Sequence, residues 1–288
     1  MNKEYGVGQP EATPLSGFEV REVVIGGSRL RAYVAGSGSP LVLVHGLGGA
    51  AANWSSLAPL LAGRHRVLLP DLPGHGRSAP VLAPEGLGSL ADTVIELAGE
   101  AGMLPATFVG NSMGADIAIQ VALRRPDVVG AVVAVSAGAL ASSRPLARAW
   151  LRAWGTLRLS WLGGRYRLAI SQRPKLRRLA FGGWGAVDPV SLPPLAALGF
   201  LDGLTHAQDT ASAREALIAD EPRLKLGGIG RKVLVIWGAR DRTTPLDDGF
   251  EYARRLRAPL RVVAGTGHLV IAERPEECAA LIERFLDG

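Results

Sequence analysis

The chain has 288 residues, 48% of them hydrophobic and 20% charged, with a formal net charge of +6. That length buries one large core, and the apolar runs of four to eight residues fall well short of the roughly 20 needed to cross a bilayer. The single cysteine, Cys278, excludes a disulfide within the chain. The five histidines (His45, His65, His75, His206 and His268) are not paired with carboxylates or thiols at ligand spacing, which argues against a metal centre.

Residues 1–17 carry charge, Gly and Pro without an apolar stretch, so they read as a flexible tail rather than a secretion signal, and a cytoplasmic location is expected. Phe18 to Ile25 and Leu30 to Ala35 read as a hairpin joined by Gly26 and Gly27. Leu41 to Val44 is a short, fully apolar run, as expected of a strand buried on both faces. Val67 to Leu69, Thr107 to Val109, Val128 to Val135, Val233 to Trp237 and Leu260 to Val263 repeat that signal. Between them, 54–62, 87–101, 113–125, 247–256 and 275–286 have helical periodicity. This βαβα order predicts a mainly parallel sheet covered by helices. The alternation stops after Val135 and resumes at Lys232. Residues 140–205, rich in Arg, Trp and Leu, read as a helical cap, with the core formed by 18–139 and 206–288.

The charge is concentrated in that cap. Between Asp127 and Asp188 there are ten basic residues and no carboxylate, and the remainder of the chain carries 22 basic against 26 acidic residues. Arg144, Arg148 and Arg152 recur every four residues and share one helix face, while tryptophans occupy another. Trp150, Trp154 and Trp161 are candidates to roof an apolar substrate pocket. The basic face is a candidate for peripheral contact with an acidic membrane, and nucleic acid is not expected as a partner.

Gly110-Asn-Ser112-Met-Gly114 fits G-x-S-x-G between a strand and a helix, the context in which a serine is presented on a sharp turn. After the buried strand 41–44 comes His45-Gly-Leu47-Gly-Gly49, a turn whose backbone N–H groups are free to face a neighbouring site. Leu47 N–H and Met113 N–H together form a candidate oxyanion hole. His45 and Asp71 read as braces of their own turns.

His45-Gly-Leu-Gly, Asp71-Leu-Pro-Gly-His-Gly-Arg-Ser78, Gly110-Asn-Ser-Met-Gly114, Trp237-Gly-Ala-Arg-Asp241 and Gly267-His268 occur in the order of the α/β-hydrolase superfamily, which the chain resembles over about residues 18–288. The resemblance implies an α/β-hydrolase fold: a mostly parallel eight-stranded sheet flanked by helices, with the cap after strand 6. It implies Ser112 as nucleophile, Asp241 as acid, His268 as base, and no cofactor. Chain order supports the acid independently, because the strand ending at Trp237 presents Asp241 at the sheet edge, whereas Asp247 and Asp248 open the next helix and His75 and His206 are weaker bases. The expected activity is cleavage of small to medium carboxylic esters through an acyl-enzyme. The elbow also resembles that of carbon–carbon bond hydrolases acting on ring-fission products. Gly-Leu-Gly-Gly in the first loop and Leu269 after the histidine depart from that group. Lactone cleavage and a ligand receptor on the same fold are further alternatives.

Overall fold

The computed structural model describes residues 14–81, 86–142, 144–156, 165–220, 226, 227 and 229–288. The chain first folds back on itself. β1 (Glu19–Ile25) and β2 (Ser28–Ala35) pair antiparallel across Gly26 and Gly27. In β2 buried residues alternate with more exposed ones, as in a strand with one face towards water. Next come β3 (Ser39–Val44), a 3-10 turn over Ala51–Trp54, α1 (Ala58–Ala62) and β4 (His65–Pro70). α2 (Leu87–Glu100) leads to β5 (Ala106–Asn111), and α3 (Met113–Arg124) to β6 (Val129–Val135). After β6 the described helices are α4 (Ala139–Ser142), α5 (Pro145–Thr156), α6 (Arg167–Gln172), α7 (Pro174–Phe181), α8 (Pro194–His206) and α9 (Ala211–Ala219). The chain closes with β7 (Lys232–Gly238), α10 (Leu246–Leu256), β8 (Leu260–Val263), α11 (Val270–Glu273) and α12 (Pro275–Asp287).

The eight strands form one sheet in the order β1-β2-β4-β3-β5-β6-β7-β8. Every pairing from β4 to β8 is parallel. This is the mostly parallel α/β sheet that the strand and helix order implies. The central strands send alternate residues to two apolar layers. Val42, Val44, Phe108, Val132 and Val235 pack with residues of α2, α3 and α10. Leu41, Leu43, Val109, Val133 and Ile236 pack with Trp54 and residues of α8 and α12. Burial on both faces explains why these strands read as unbroken apolar runs, and each fully buried side chain of this kind contributes about 1.5–3 kcal/mol.

β3 lies between β4 and β5, so successive connections leave its neighbourhood in opposite directions and open a crevice at the carboxyl ends of the strands. That crevice positions the site. Two local expectations differ from the structure. The helix expected over 54–62 is a 3-10 turn followed by α1, divided at Ser55 and Ser56, whose hydroxyls favour turns over helix. α9 has no counterpart among the expected helices, because its alanines supply helix propensity without a strong apolar stripe. No described helix is long and apolar enough to cross a membrane.

Candidate active site

β5 is buried along its whole length and turns into α3 at Ser112, whose backbone lies at φ 55° and ψ −126°. A non-glycine residue there costs about 1–3 kcal/mol, so the surrounding packing must impose the conformation. The flanking glycines show how. A Cβ at Gly110 would lie 2.1 Å from the Gly114 carbonyl oxygen, and one at Gly114 would lie 2.1 Å from that of Val44. The helix can therefore rest against β3 and β5 only where both side chains are absent. Ser112 N–H donates to the Val135 carbonyl at 2.9 Å, which pins the turn to β6.

The loop after β3 lies directly on this elbow. A Cβ at Gly46 would be 3.0 Å from that of Ser112, and Gly49 N–H closes the turn onto Gly46 O at 3.1 Å. Among the described residues, neither Leu47 N–H nor Met113 N–H donates to a protein acceptor. His45 holds the loop: its Nδ1–H donates to Gly46 O at 2.8 Å and its Nε2 accepts Leu72 N–H at 3.0 Å. Complete burial pushes this imidazole down to about 3, so it stays neutral. Asp71 accepts Ala51 N–H at 2.7 Å and Arg77 N–H at 2.9 Å, in the bracing position expected of it.

Asp241 and His268 leave the same sheet edge after β7 and β8. His268 Nδ1 donates to Asp241 Oδ2 at 2.9 Å, leaving the other ring nitrogen as the acceptor. Asp241 Oδ1 accepts Thr243 and Thr244 N–H at 2.8 and 2.9 Å. Burial would raise this carboxyl, but His268, followed by the Thr244 donors, outweighs it and holds the group below its ordinary value. The structure thus brings Asp241 and His268 together, whereas no hydrogen bond joins Ser112 Oγ to His268 among the described residues. The rival groups are engaged elsewhere. His75 Nδ1–H donates to Pro73 O, His206 Nδ1–H donates to Asp202 O, and buried Asp248 pairs with Arg144. Cys278 is buried and its thiol is pushed up to about 12 by burial, which makes it inert.

The alpha/beta hydrolase family model matches residues 41–281. The chain belongs to the alpha/beta hydrolase family. It is 31% identical over 272 residues to the dihydrolipoyllysine-residue acetyltransferase component of the acetoin cleaving system of Cupriavidus necator, with 92% of this chain and 68% of that protein covered. It is 28% identical over 291 residues to the 2-hydroxy-6-oxo-6-phenylhexa-2,4-dienoate hydrolase of Burkholderia cepacia, with 96% and 97% covered. Among solved structures it is similar to a membrane phospholipase A described as a bacterial virulence factor, at a TM-score of 0.70 and 27% identity over 94% of this chain and 86% of that one.

In this alpha/beta hydrolase, two groups beside Asp241 and His268 escape the sequence reading. Thr244 Oγ1 donates to Asp241 Oδ2 at 2.7 Å and lies 3.2 Å from His268 Nδ1. The signal available was its place three residues after an aspartate, where a side-chain oxygen can accept a backbone N–H. Glu273 accepts Gly267 N–H and Val187 N–H, both at 2.7 Å, and no spacing rule announces it. Through Glu273, the helical segment between β6 and β7 is tied to the histidine loop. Leu269 N–H donates to Gly185 O at 3.0 Å, and Thr243 Oγ1 to Trp184 O at 2.9 Å, so this segment also grips the loop that carries Asp241. The side chains of Trp150, Trp154 and Trp161 lie outside the described residues. On the face carrying Arg144, Arg148 and Arg152, Arg144 pairs with Asp248 and Arg152 with Glu215, and the side chains of both arginines stay exposed.

Proposed function

We propose that this alpha/beta hydrolase is a serine hydrolase that cleaves carboxylic esters of small to medium acyl chains, with Ser112 as nucleophile, His268 as base and Asp241 as the acid that orients it. The observation that carries the reading is the Asp241–His268 hydrogen bond at the sheet edge that also presents Ser112 at positive φ. His268 takes the hydroxyl proton as Ser112 Oγ attacks the ester carbonyl, and Asp241 stabilises the imidazolium. Leu47 and Met113 N–H receive the oxyanion, the imidazolium protonates the departing alcohol, and an acyl-enzyme remains. Water activated by the same histidine then releases the acid. The reading includes residues 140–205 as a cap and a small-molecule ester as partner. It keeps peripheral membrane contact in a narrower form, on the face of α7 where Lys175 and Arg178 flank Leu179, which is 84% exposed.

A fluorophosphonate should label Ser112 alone, and Ser112→Ala and His268→Ala should each abolish turnover of nitrophenyl esters, with the double variant no worse than either. Labelling of another serine refutes the assignment. Carbon–carbon bond cleavage by the same residues is a second reading, supported by near full-length likeness to the Burkholderia cepacia hydrolase and by the Gly110-to-Gly114 elbow. Assayed beside the ester series and several lactones, a vinylogous diketone turned over faster than any ester would select it.

A further inference from the structure

Four residues beyond Ser112, in the first turn of α3, Asp116 is buried and takes no part in the acid–base pair. A carboxylate in such a place is costly unless its oxygens are satisfied, and here both are. Oδ2 accepts Gly138 N–H at 2.8 Å and Ala139 N–H at 2.9 Å, while Oδ1 accepts the hydroxyl of Tyr252. Tyr252 is fully buried on α10, with its ring 5.9 Å from that of Trp237. The clamp therefore spans α3, α10 and the chain that leaves β6.

The clamped backbone faces the nucleophile. A Cβ at Gly138 would lie 3.5 Å from both Ser112 Oγ and Met113 N, and 3.7 Å from Asp116 Oδ2. Those are ordinary van der Waals separations, and the φ of Gly138 is not in the left-handed region, so the protein itself could hold an alanine there. The methyl would instead occupy space between the attacking oxygen and an oxyanion donor. We propose that Gly138 sets the width of the acyl pocket beside Ser112, and that Asp116 is the positioning residue that holds the Gly138–Ala139 backbone at that distance. This rests on the serine-hydrolase reading above.

The test compares kcat/KM for nitrophenyl acetate, hexanoate and 2-methylpropanoate in the full-length protein. Gly138→Ala should fold with the wild-type Tm and lower kcat/KM for 2-methylpropanoate at least about tenfold more than for acetate, the scale of one misplaced methyl group. Asp116→Ala should shift the same ratio, whereas Asp116→Asn, which keeps an oxygen acceptor, should restore it to within about threefold of wild type. If Asp116→Ala does not fold, Tyr252→Phe, which removes one donor, should move the ratio in the same direction by less. Equal effects of Gly138→Ala on all three esters, or an unchanged ratio in both Asp116→Ala and Tyr252→Phe, overturn the proposal. Fluorophosphonate labelling of the wild type separates the two readings. Unaltered selectivity with Ser112 labelled refutes the acyl wall alone, and failure to label Ser112 refutes the reading beneath it.

Discussion

Asp241 and Asp116 are both buried and both accept hydrogen bonds on each oxygen, yet their acidities move in opposite directions. At Asp241, the imidazole and the Thr244 donors overcome burial, and the carboxyl is held below its ordinary value. At Asp116 every hydrogen-bond donor is neutral and Asp220 adds negative charge, so burial prevails and pushes the group up to about 7. The difference lies in the partner. A carboxylate kept ionised beside a ring that can become a cation suits charge compensation during turnover. One that hovers near neutrality, gripping two backbone N–H groups, suits the holding of a wall.

The largest effect should come from removing the charge at Asp241. Asp241→Asn should lower kcat on the order of 10⁴-fold, because the histidine loses both its fixed tautomer and its counter-charge. Steady-state kinetics with the preferred ester would check it, and a loss under tenfold would leave the two carboxylates without distinct roles. Thr244→Val comes next. It deletes the hydroxyl shared by Asp241 and His268 while keeping the side-chain shape, so kcat should fall roughly tenfold to a hundredfold, with Thr244→Ser recovering most of it.

The smallest effect sharpens the contrast through stability. The folded-state value of Asp116 is raised from 3.8 to about 7, so over that interval the folded protein binds more protons at this group than the unfolded chain does. Its contribution to stability therefore declines as pH rises from about 4 to 7 and is level above that range. Asp116→Asn lacks this decline, and the Tm difference between variant and wild type should move in the variant's favour across that interval. A constant difference in a melting series would remove the acidity contrast.

Much of the scaffold is legible from residue pattern alone. Leu41 to Val44, Thr107 to Val109 and Val233 to Trp237 announce buried strands because burial on both faces demands an unbroken apolar run. Gly110 and Gly114 announce the elbow because close approach to β3 and β5 tolerates no side chain. Asp241 and His268, separated by 27 positions, are legible only through the order of strands and motifs along the whole chain, since nothing local joins an aspartate to a distant histidine. Thr244, Glu273 and Asp116 escape for a related reason. Each acts through backbone N–H groups or side chains brought close by tertiary packing, as when α3 meets the chain beyond β6. The ion pairs made by the arginine row of α5 are out of reach of pattern in the same way, because its periodicity describes one helix and its partners, Asp248 and Glu215, belong to others.

The stretch Trp184–Val187 holds on to both the Asp241 loop and the His268 loop, through Thr243, Leu269 and Glu273. Lifting that stretch away from the sheet would break those bonds and loosen the residues that orient the imidazole. On the proposed serine-hydrolase reading, the same few bonds that steady this stretch also steady the proton transfer, so any displacement of it during turnover would carry a cost in the geometry of the imidazole.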